Sequence, residues 1–94
     1  MSEKVIIKND FEVSKIAAVC RYNPIFFKEL GEFIKPGMTT MELEEYACAF
    51  AERYGLIPAF KQVPNYYHAL CISINEEVVH GIPSVKRMIN DGDI

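Results

Sequence analysis

The chain has 94 residues, of which 50% are hydrophobic and 12% aromatic, and its formal net charge is −3. This length supports one domain, or part of one, with a modest core, and the apolar content excludes a chain that is disordered throughout. Charges of both signs are interspersed and form no basic stripe, which argues against nucleic acid and anionic membranes as partners. The start, Met1–Lys4, leads into too few apolar residues for a signal peptide, and no apolar run approaches a membrane span. We therefore expect a cytoplasmic protein.

The three cysteines, Cys20, Cys48 and Cys71, are widely spaced and include no Cys-x-x-Cys pair. An odd number at such spacing disfavours both a disulfide scaffold and a structural zinc site. We expect each cysteine to behave as a small buried hydrophobe in a reducing compartment.

Helical spacing of apolar residues begins after a short apolar segment. Asn9 and Glu12 form a variant of the capping box, and Pro24 interrupts the run that follows. We expect a kink or break there, or a new helix capped by Asn23 with Pro24 at its first position, and then helix to about Ile34. The apolar positions of this region are Phe11, Ile16, Val19, Cys20, Phe27, Leu30, Phe33 and Ile34.

A second amphipathic helix follows the Pro-Gly turn of Lys35–Met38. Thr39 and Glu42 form another capping box, and Gly55 suits the position just after the helix because glycine accepts the left-handed conformation. The predicted apolar face consists of Leu43, Tyr46, Ala47, Phe50, Ala51 and Tyr54.

The pattern changes in the last third of the chain. Phe60–Tyr67 is an aromatic-rich connection, and residues 70–74 alternate between apolar and other side chains, as strands do. Asn75–Glu77 is a predicted turn, and Val78–Val79 is a predicted short returning strand. The pattern therefore predicts an α/β (α+β) architecture in which two amphipathic helices pack on a short antiparallel sheet.

His80 is the main chemical candidate. Its side chain has an unperturbed pKa near neutrality, and the neighbouring Gly81 allows another backbone or a ligand to approach closely. Cys71 and His80 would be the right types for a cysteine–histidine nucleophile pair, although a cysteine in an apolar strand more often serves packing.

Metal-binding patterns are weak. His68 and His80 are twelve positions apart and do not form a His-x-x-x-His pair or another local metal-binding motif. Asp91 and Asp93 flank Gly92 as they would in a calcium loop, but the composition favours a simple turn, and further acidic ligands are lacking. An apolar residue, Ile94, follows this turn, so we expect the chain to be cut in front of a further strand.

Several segments resemble type I methionine aminopeptidases in the order and spacing of that family: Lys35–Thr40, Ile57–Phe60, Cys71–Glu76, His80–Pro83 and Asp91–Ile94. The resemblance implies the pita-bread fold, with residues 1–94 as a single partial domain that forms the N-terminal half of the catalytic domain. Enzymes of this family remove the initiator methionine of nascent proteins with two divalent metal ions of the Co, Mn, Fe or Zn class.

The resemblance also implies roles for individual residues. His80 would be the catalytic residue that positions substrate and stabilises the reacting group. Phe60, Val63, Tyr66 and Cys71 would line the pocket for the methionine side chain, for which an apolar, shaped wall is needed.

Three departures from the family affect what we expect. Its metal ligands (two aspartates, a histidine and two glutamates) would follow Ile94, so the chain is expected to hold no metal and to be inactive alone. The glycine-rich pocket segment reads Gln62–Tyr67 here, which alters the pocket, and Pro24 interrupts a helix that the family runs unbroken.

Three hypotheses remain from the sequence. The first is the N-terminal portion of a methionine aminopeptidase. The second is a non-catalytic remnant or binding module, or a chain that self-associates or needs a separate C-terminal half. The third is a proline-specific aminopeptidase or creatinase relative, which the His80–Pro83 motif disfavours.

Overall fold

The computed structural model describes residues 4–94, and this part of the chain is mainly helical. Residues 1–3, on which the signal-peptide argument partly falls, lie outside the described residues. Within the described range, no helix has both the length and the apolarity to cross a bilayer. The elements are α1 (Asp10–Cys20), α2 (Tyr22–Phe33), α3 (Thr40–Arg53) and a 3₁₀ helix (Ala59–Gln62).

Reciprocal hydrogen bonds fix the starts of α1 and α3. The Asn9 side chain accepts from the Glu12 N–H at 2.8 Å, and the Glu12 carboxylate accepts from the Asn9 N–H at 3.0 Å. Thr39 and Glu42 repeat this arrangement at 3.2 and 3.3 Å. Both predicted capping boxes are confirmed, and Gly55 has the left-handed conformation (φ 68°) expected after α3.

The predicted break between helices lies at Arg21, between α1 and α2. Pro24 is the third residue of α2, so its missing N–H is one of those that have no acceptor within a helix. The alternative start, with Asn23 as cap and Pro24 as first residue, is wrong, since Arg21 occupies the cap position without a side-chain hydrogen bond. Three α-helices therefore replace the two that were predicted.

Aromatic side chains pack α2 against α3. The rings of Phe26 and Phe50 lie 5.2 Å apart, and Phe33 stacks on Tyr46 at 4.4 Å. Most of the predicted apolar face of α3 thus meets α2 or the core. The buried hydrophobic residues are Leu43, Ala47, Phe50 and Ile74.

The apolar face of α1 is exposed. No residue of α1 is buried, and Phe11 and Val19 are 67% and 57% exposed. Cys20 is also exposed, while Cys48 and Cys71 are half-buried, so the expectation of three buried cysteines is wrong. The physical reason is that, among the helices of residues 4–94, α1 contacts only α2, which follows it directly after Arg21, so no other helix covers its apolar residues.

The predicted antiparallel sheet is not confirmed, because residues 4–94 contain no β-strand. Residues 70–74 and 78–79 have no regular ladder. Asn75 and His80 have left-handed backbones, with φ of 54° and 58°, which turn the chain out of the extended conformation beside both segments. Residues 70–74 and 78–79 therefore do not form the predicted strands.

One backbone hydrogen bond joins residues 70–74 to Gly81, just after the second segment. The Ile72 N–H donates to the Gly81 carbonyl at 2.8 Å, but the Gly81 N–H donates to the Ser73 hydroxyl at 3.0 Å instead of to a second backbone carbonyl. A ladder needs successive backbone pairs, so this single bond does not extend.

The predicted turns are present. The Glu77 N–H donates to the Ile74 carbonyl at 3.0 Å, and the Asp93 N–H donates to the Asn90 carbonyl at 3.1 Å. The Asp–Gly–Asp segment is therefore a turn, as its composition favoured.

Candidate functional site

Tyr66 joins three of the predicted pocket residues. Its ring meets the Phe60 ring edge-on, with centroids 6.2 Å apart, and its hydroxyl accepts a hydrogen bond from the Cys71 thiol at 3.3 Å. The same hydroxyl donates to the Leu70 carbonyl. Burial, followed by the contact with Cys71, raises the pKa of Tyr66 to about 12. The phenol therefore stays neutral under ordinary conditions and can donate and accept at once.

We call the group of Phe60, Tyr66 and Cys71 the Tyr66 cluster. Phe60, together with the neighbouring Val63, gives it an exposed apolar side. Phe60 is the second residue of the 3₁₀ helix and is 46% exposed, and Val63, just after that helix, is 51% exposed. The Val63 carbonyl accepts from the Tyr66 N–H at 3.1 Å, so Val63 is tied to the cluster through its backbone. An apolar ligand group could lie against this wall without displacing a buried side chain.

His80 lies on the neighbouring segment, exposed and in the left-handed conformation. The next residue, Gly81, is buried, and a Cβ added there would lie 1.9 Å from the Ile72 carbonyl oxygen. The close backbone approach anticipated for this glycine is thus confirmed. Among the hydrogen bonds of residues 4–94, none links Cys71 to His80, so the cysteine–histidine pair is not formed.

Thr40 anchors the segment that carries His80, a role the sequence did not suggest. Its side chain is completely buried at the start of α3. The Ser84 N–H donates to the Thr40 hydroxyl at 2.8 Å, and that hydroxyl donates to the Ser84 carbonyl at 3.2 Å. The segment that follows His80 is therefore held at two points, at Gly81 by the Ser73 hydroxyl and at Ser84 by Thr40.

Glu44 is the second residue that the sequence reasoning missed. It is only 4% exposed on α3, and its carboxylate accepts from the backbone N–H groups of Ala69 and Leu70 at 2.8 to 3.0 Å. The Cys48 thiol donates to it at 3.4 Å, and burial followed by this contact raises the pKa of Cys48. A charged residue directly beside Leu43, within an otherwise apolar face, was the signal that could have revealed it.

No dimetal centre fits the side chains of residues 4–94, which contain no group of three or more His, Cys, Asp or Glu residues placed around a common point. An open groove of about 290 Å³ lies elsewhere, between α2, α3 and the segment after α3. The predicted site residues do not line it, although Ala69 and Leu70 do.

Comparisons with known proteins agree with this geometry. A sequence model of metallopeptidase family M24 matches residues 14–94. The methionine aminopeptidase of Clostridium acetobutylicum is 40% identical over 96% of this chain, and methionine aminopeptidase 1 of Bacillus subtilis is 39% identical over the same share. Each match covers 36% of the relative's length.

A solved structure extends the likeness to three dimensions. The crystal structure of the methionine aminopeptidase from Thermotoga maritima superposes with a TM-score of 0.89 at 32% identity. The match covers 97% of this chain and 36% of that one. The chain thus spans about a third of the length of the relatives it matches, and its backbone resembles that of the Thermotoga maritima enzyme over that third. It belongs to metallopeptidase family M24.

Proposed function

We propose that this chain supplies the N-terminal, substrate-binding part of a metal-dependent methionine aminopeptidase, with residues 1–94 as a single partial domain. The observation that carries the proposal is the Tyr66 cluster, in which Phe60, Tyr66 and Cys71 meet on a backbone that superposes on a methionine aminopeptidase. In this proposal the three side chains and Val63 form one wall of the pocket for the methionine side chain. The substrate would be the N-terminal methionine of nascent peptides, and the location would be the cytoplasm.

His80 is the proposed catalytic residue, which touches substrate and stabilises the reacting group. Its exposure and the two anchors of its segment support this role, because an accessible imidazole on a fixed backbone can meet a ligand without rearrangement. The two divalent metal ions of a complete relative would polarise the peptide carbonyl and activate water. Their ligands would come from outside residues 4–94, so the chain alone is proposed to lack peptidase activity.

A complementary surface is part of the proposal. The exposed side of α1, with Phe11 and Val19, and the open groove beside α3 are apolar surfaces of the kind that a second half of the fold would cover. Residues 70–74 and the segment around Gly81, which the Ile72–Gly81 hydrogen bond joins, would then pair as strands. The same exposed surface supports a second candidate, a non-catalytic binding module that self-associates or pairs with a separate chain.

An activity assay tests the first candidate. The purified 94-residue chain is incubated with a peptide that begins with methionine, in the presence of Co²⁺ or Mn²⁺, and released methionine is measured. We expect no turnover above a blank. Turnover that increases with protein concentration would refute the assignment of the metal ligands to a part outside these residues.

A binding experiment tests the pocket wall. Methionine amide is titrated into the labelled chain while amide and side-chain NMR signals are recorded, with alanine amide as the control ligand. We expect saturable shifts at Phe60, Tyr66 and Cys71 with methionine amide only. Equal shifts with both ligands, or shifts confined to residues outside the Tyr66 cluster, would count against the proposed pocket.

Two further measurements separate the candidates. DNA sequencing downstream of Ile94 shows whether the reading frame continues into a metal-ligand segment, as the enzyme requires, or stops, as the binding module requires. Sedimentation of the purified chain measures self-association directly.

A further inference from the structure

A buried carboxylate lies directly behind the Tyr66 cluster and has no part in the proposed chemistry. Glu44 is 4% exposed, and its two oxygens accept from two consecutive backbone N–H groups. The Cys48 thiol donates to the same carboxylate at 3.4 Å, and the His68 Nδ1 lies 3.7 Å away. A buried carboxylate is costly unless its oxygens are hydrogen-bonded, and these contacts meet that need.

The two backbone N–H groups belong to Ala69 and Leu70, and Leu70 leads into the cluster. The Leu70 carbonyl accepts from the Tyr66 hydroxyl, which in turn accepts from the Cys71 thiol. The Leu70 backbone is therefore held on its N–H side by Glu44 and contacted on its carbonyl side by Tyr66. A shift of this backbone would move the acceptor that orients the Tyr66 ring.

We propose that Glu44 is a positioning residue for the methionine pocket, in which its carboxylate fixes the Ala69–Leu70 backbone and thereby the orientation of Tyr66. This role presupposes the pocket proposed above, whereas the hydrogen bonds from Glu44 to Ala69 and Leu70 do not depend on it. Glu44 acts through the backbone and through Tyr66, and it touches neither substrate nor reacting atoms.

The Ala69 N–H contacts both oxygens of Glu44, and the Leu70 N–H contacts one of them. Glutamine has the same size as glutamate, but its amide offers one oxygen acceptor and an NH₂ group that can only donate. In Glu44→Gln, that NH₂ would replace the oxygen that accepts from the Ala69 N–H at 2.8 Å, so Ala69 would lose its shorter hydrogen bond, and the remaining oxygen, 3.0 Å from both N–H groups, would no longer be charged. Glu44→Asp keeps two acceptor oxygens on a shorter side chain.

The test compares Glu44→Gln and Glu44→Asp with Glu45→Gln, which makes the same chemical change at the adjacent, exposed position of α3. The first readout is amide hydrogen exchange at Ala69 and Leu70. The second is the titration of Tyr66, followed by NMR of a labelled phenol carbon. The amide of Ile89, which donates to the Met38 carbonyl at 2.7 Å, reports on a remote part of the fold.

In Glu44→Gln we expect exchange at Ala69 and Leu70 to accelerate about tenfold or more, as the loss of a hydrogen bond to a charged group requires. The pKa of Tyr66 should then fall from about 12 toward its ordinary value, because the ring loses the carbonyl that holds it in the partly buried position and because the nearby negative charge of Glu44, which itself raises this pKa, is removed. Exchange at Ile89 should be unchanged, and Glu45→Gln should match the parent chain in all three measurements.

The two readouts must move together in every variant that folds. Because Glu44→Gln also removes a charge that raises the Tyr66 pKa, Glu44→Asp, which keeps that charge, decides the question: faster exchange at Ala69 and Leu70 must be accompanied by a lower Tyr66 pKa, and unchanged exchange by an unchanged pKa. Rapid exchange with an unaltered Tyr66 titration would overturn the proposal. Failure of the parent chain to bind methionine amide would instead remove the proposed pocket and leave the link between Glu44 and Tyr66 intact.

Discussion

Replacement of Gly81 by alanine should be among the most damaging small changes in this chain. The added Cβ would lie 1.9 Å from the Ile72 carbonyl oxygen and 2.9 Å from the Ser73 Cα, whereas ordinary van der Waals contact begins at 3.4 Å. The obstructing atoms are backbone, so no side-chain rotation can relieve the overlap. The two segments must separate, and the bond between the Ile72 N–H and the Gly81 carbonyl is lost with them.

The expected cost combines two effects. Overpacking in a close contact costs about 1–3 kcal/mol, and loss of a backbone hydrogen bond adds about 1 kcal/mol. We therefore expect Gly81→Ala to lower the free energy of unfolding by about 2–4 kcal/mol. His80, which precedes this glycine, should also lose its fixed position.

Urea unfolding followed by circular dichroism at 222 nm measures the effect. Gly31→Ala is the matched control, because Gly31 lies within α2 and a Cβ there meets nothing within 4 Å. That control should stabilise the chain by about 0.5–1 kcal/mol, as alanine favours helix over glycine. A Gly81→Ala variant within 0.5 kcal/mol of the parent would show that the backbone contact does not constrain this site.

Three further predictions follow from the same region. Thr40→Val should lower the free energy of unfolding by about 1–3 kcal/mol in urea melts, because the Ser84 N–H loses its buried acceptor; an unchanged midpoint would contradict this. His80→Gly should be more stable than His80→Ala by about 1 kcal/mol in the same melts, since alanine must bear the left-handed φ of 58°; equal stabilities would argue against that backbone conformation. The hydrogen bond from the Asn75 side chain, followed by that from the Asn90 N–H, lowers the pKa of Asp93. The stability that ionised Asp93 contributes is therefore present above about pH 4 and is lost as the pH falls through the lowered pKa. Asn75→Ala should raise the pKa of Asp93 toward its ordinary value in an NMR titration, and an unmoved pKa would reject the Asn75 contact as the main cause.

Features that depend on neighbouring residues could be predicted from the sequence. The capping boxes at Asn9 and Thr39, the break near Pro24 and the turn at Asn90–Asp93 all rest on contacts between residues at most four apart. Their residue types have few other roles at those spacings, so the pattern alone was informative.

Features that depend on distant residues were missed. Glu44 contacts a backbone 25 and 26 positions away, and Thr40 contacts Ser84 across 44 positions. Neither partner carries a distinctive side chain, because the contacts are to backbone N–H groups that every sequence offers. The strand at residues 70–74 was predicted from alternation and the one at residues 78–79 from its place after a turn, but neither pattern shows whether a neighbour completes the ladder.

Of the predicted site, the structure brings Phe60, Tyr66 and Cys71 together and ties Val63 to them through its backbone. These residues lie within twelve positions of one another, so a turn after the 3₁₀ helix is sufficient to assemble them. Among the hydrogen bonds of residues 4–94, none joins His80 to this group, and the backbone after His80 is held at Gly81 and Ser84.

The exposed face of α1 has a consequence for binding energetics. An isolated helix of 11 residues is below the length at which helices become stable in water, and α1 has no buried side chain to compensate. Its opening should cost much less free energy than global unfolding, so its amides should be among the first in the helices to exchange. A partner surface that covers Phe11 and Val19 must then order this helix when it binds. Because that ordering costs conformational entropy, the partner will bind more weakly than the contact area suggests.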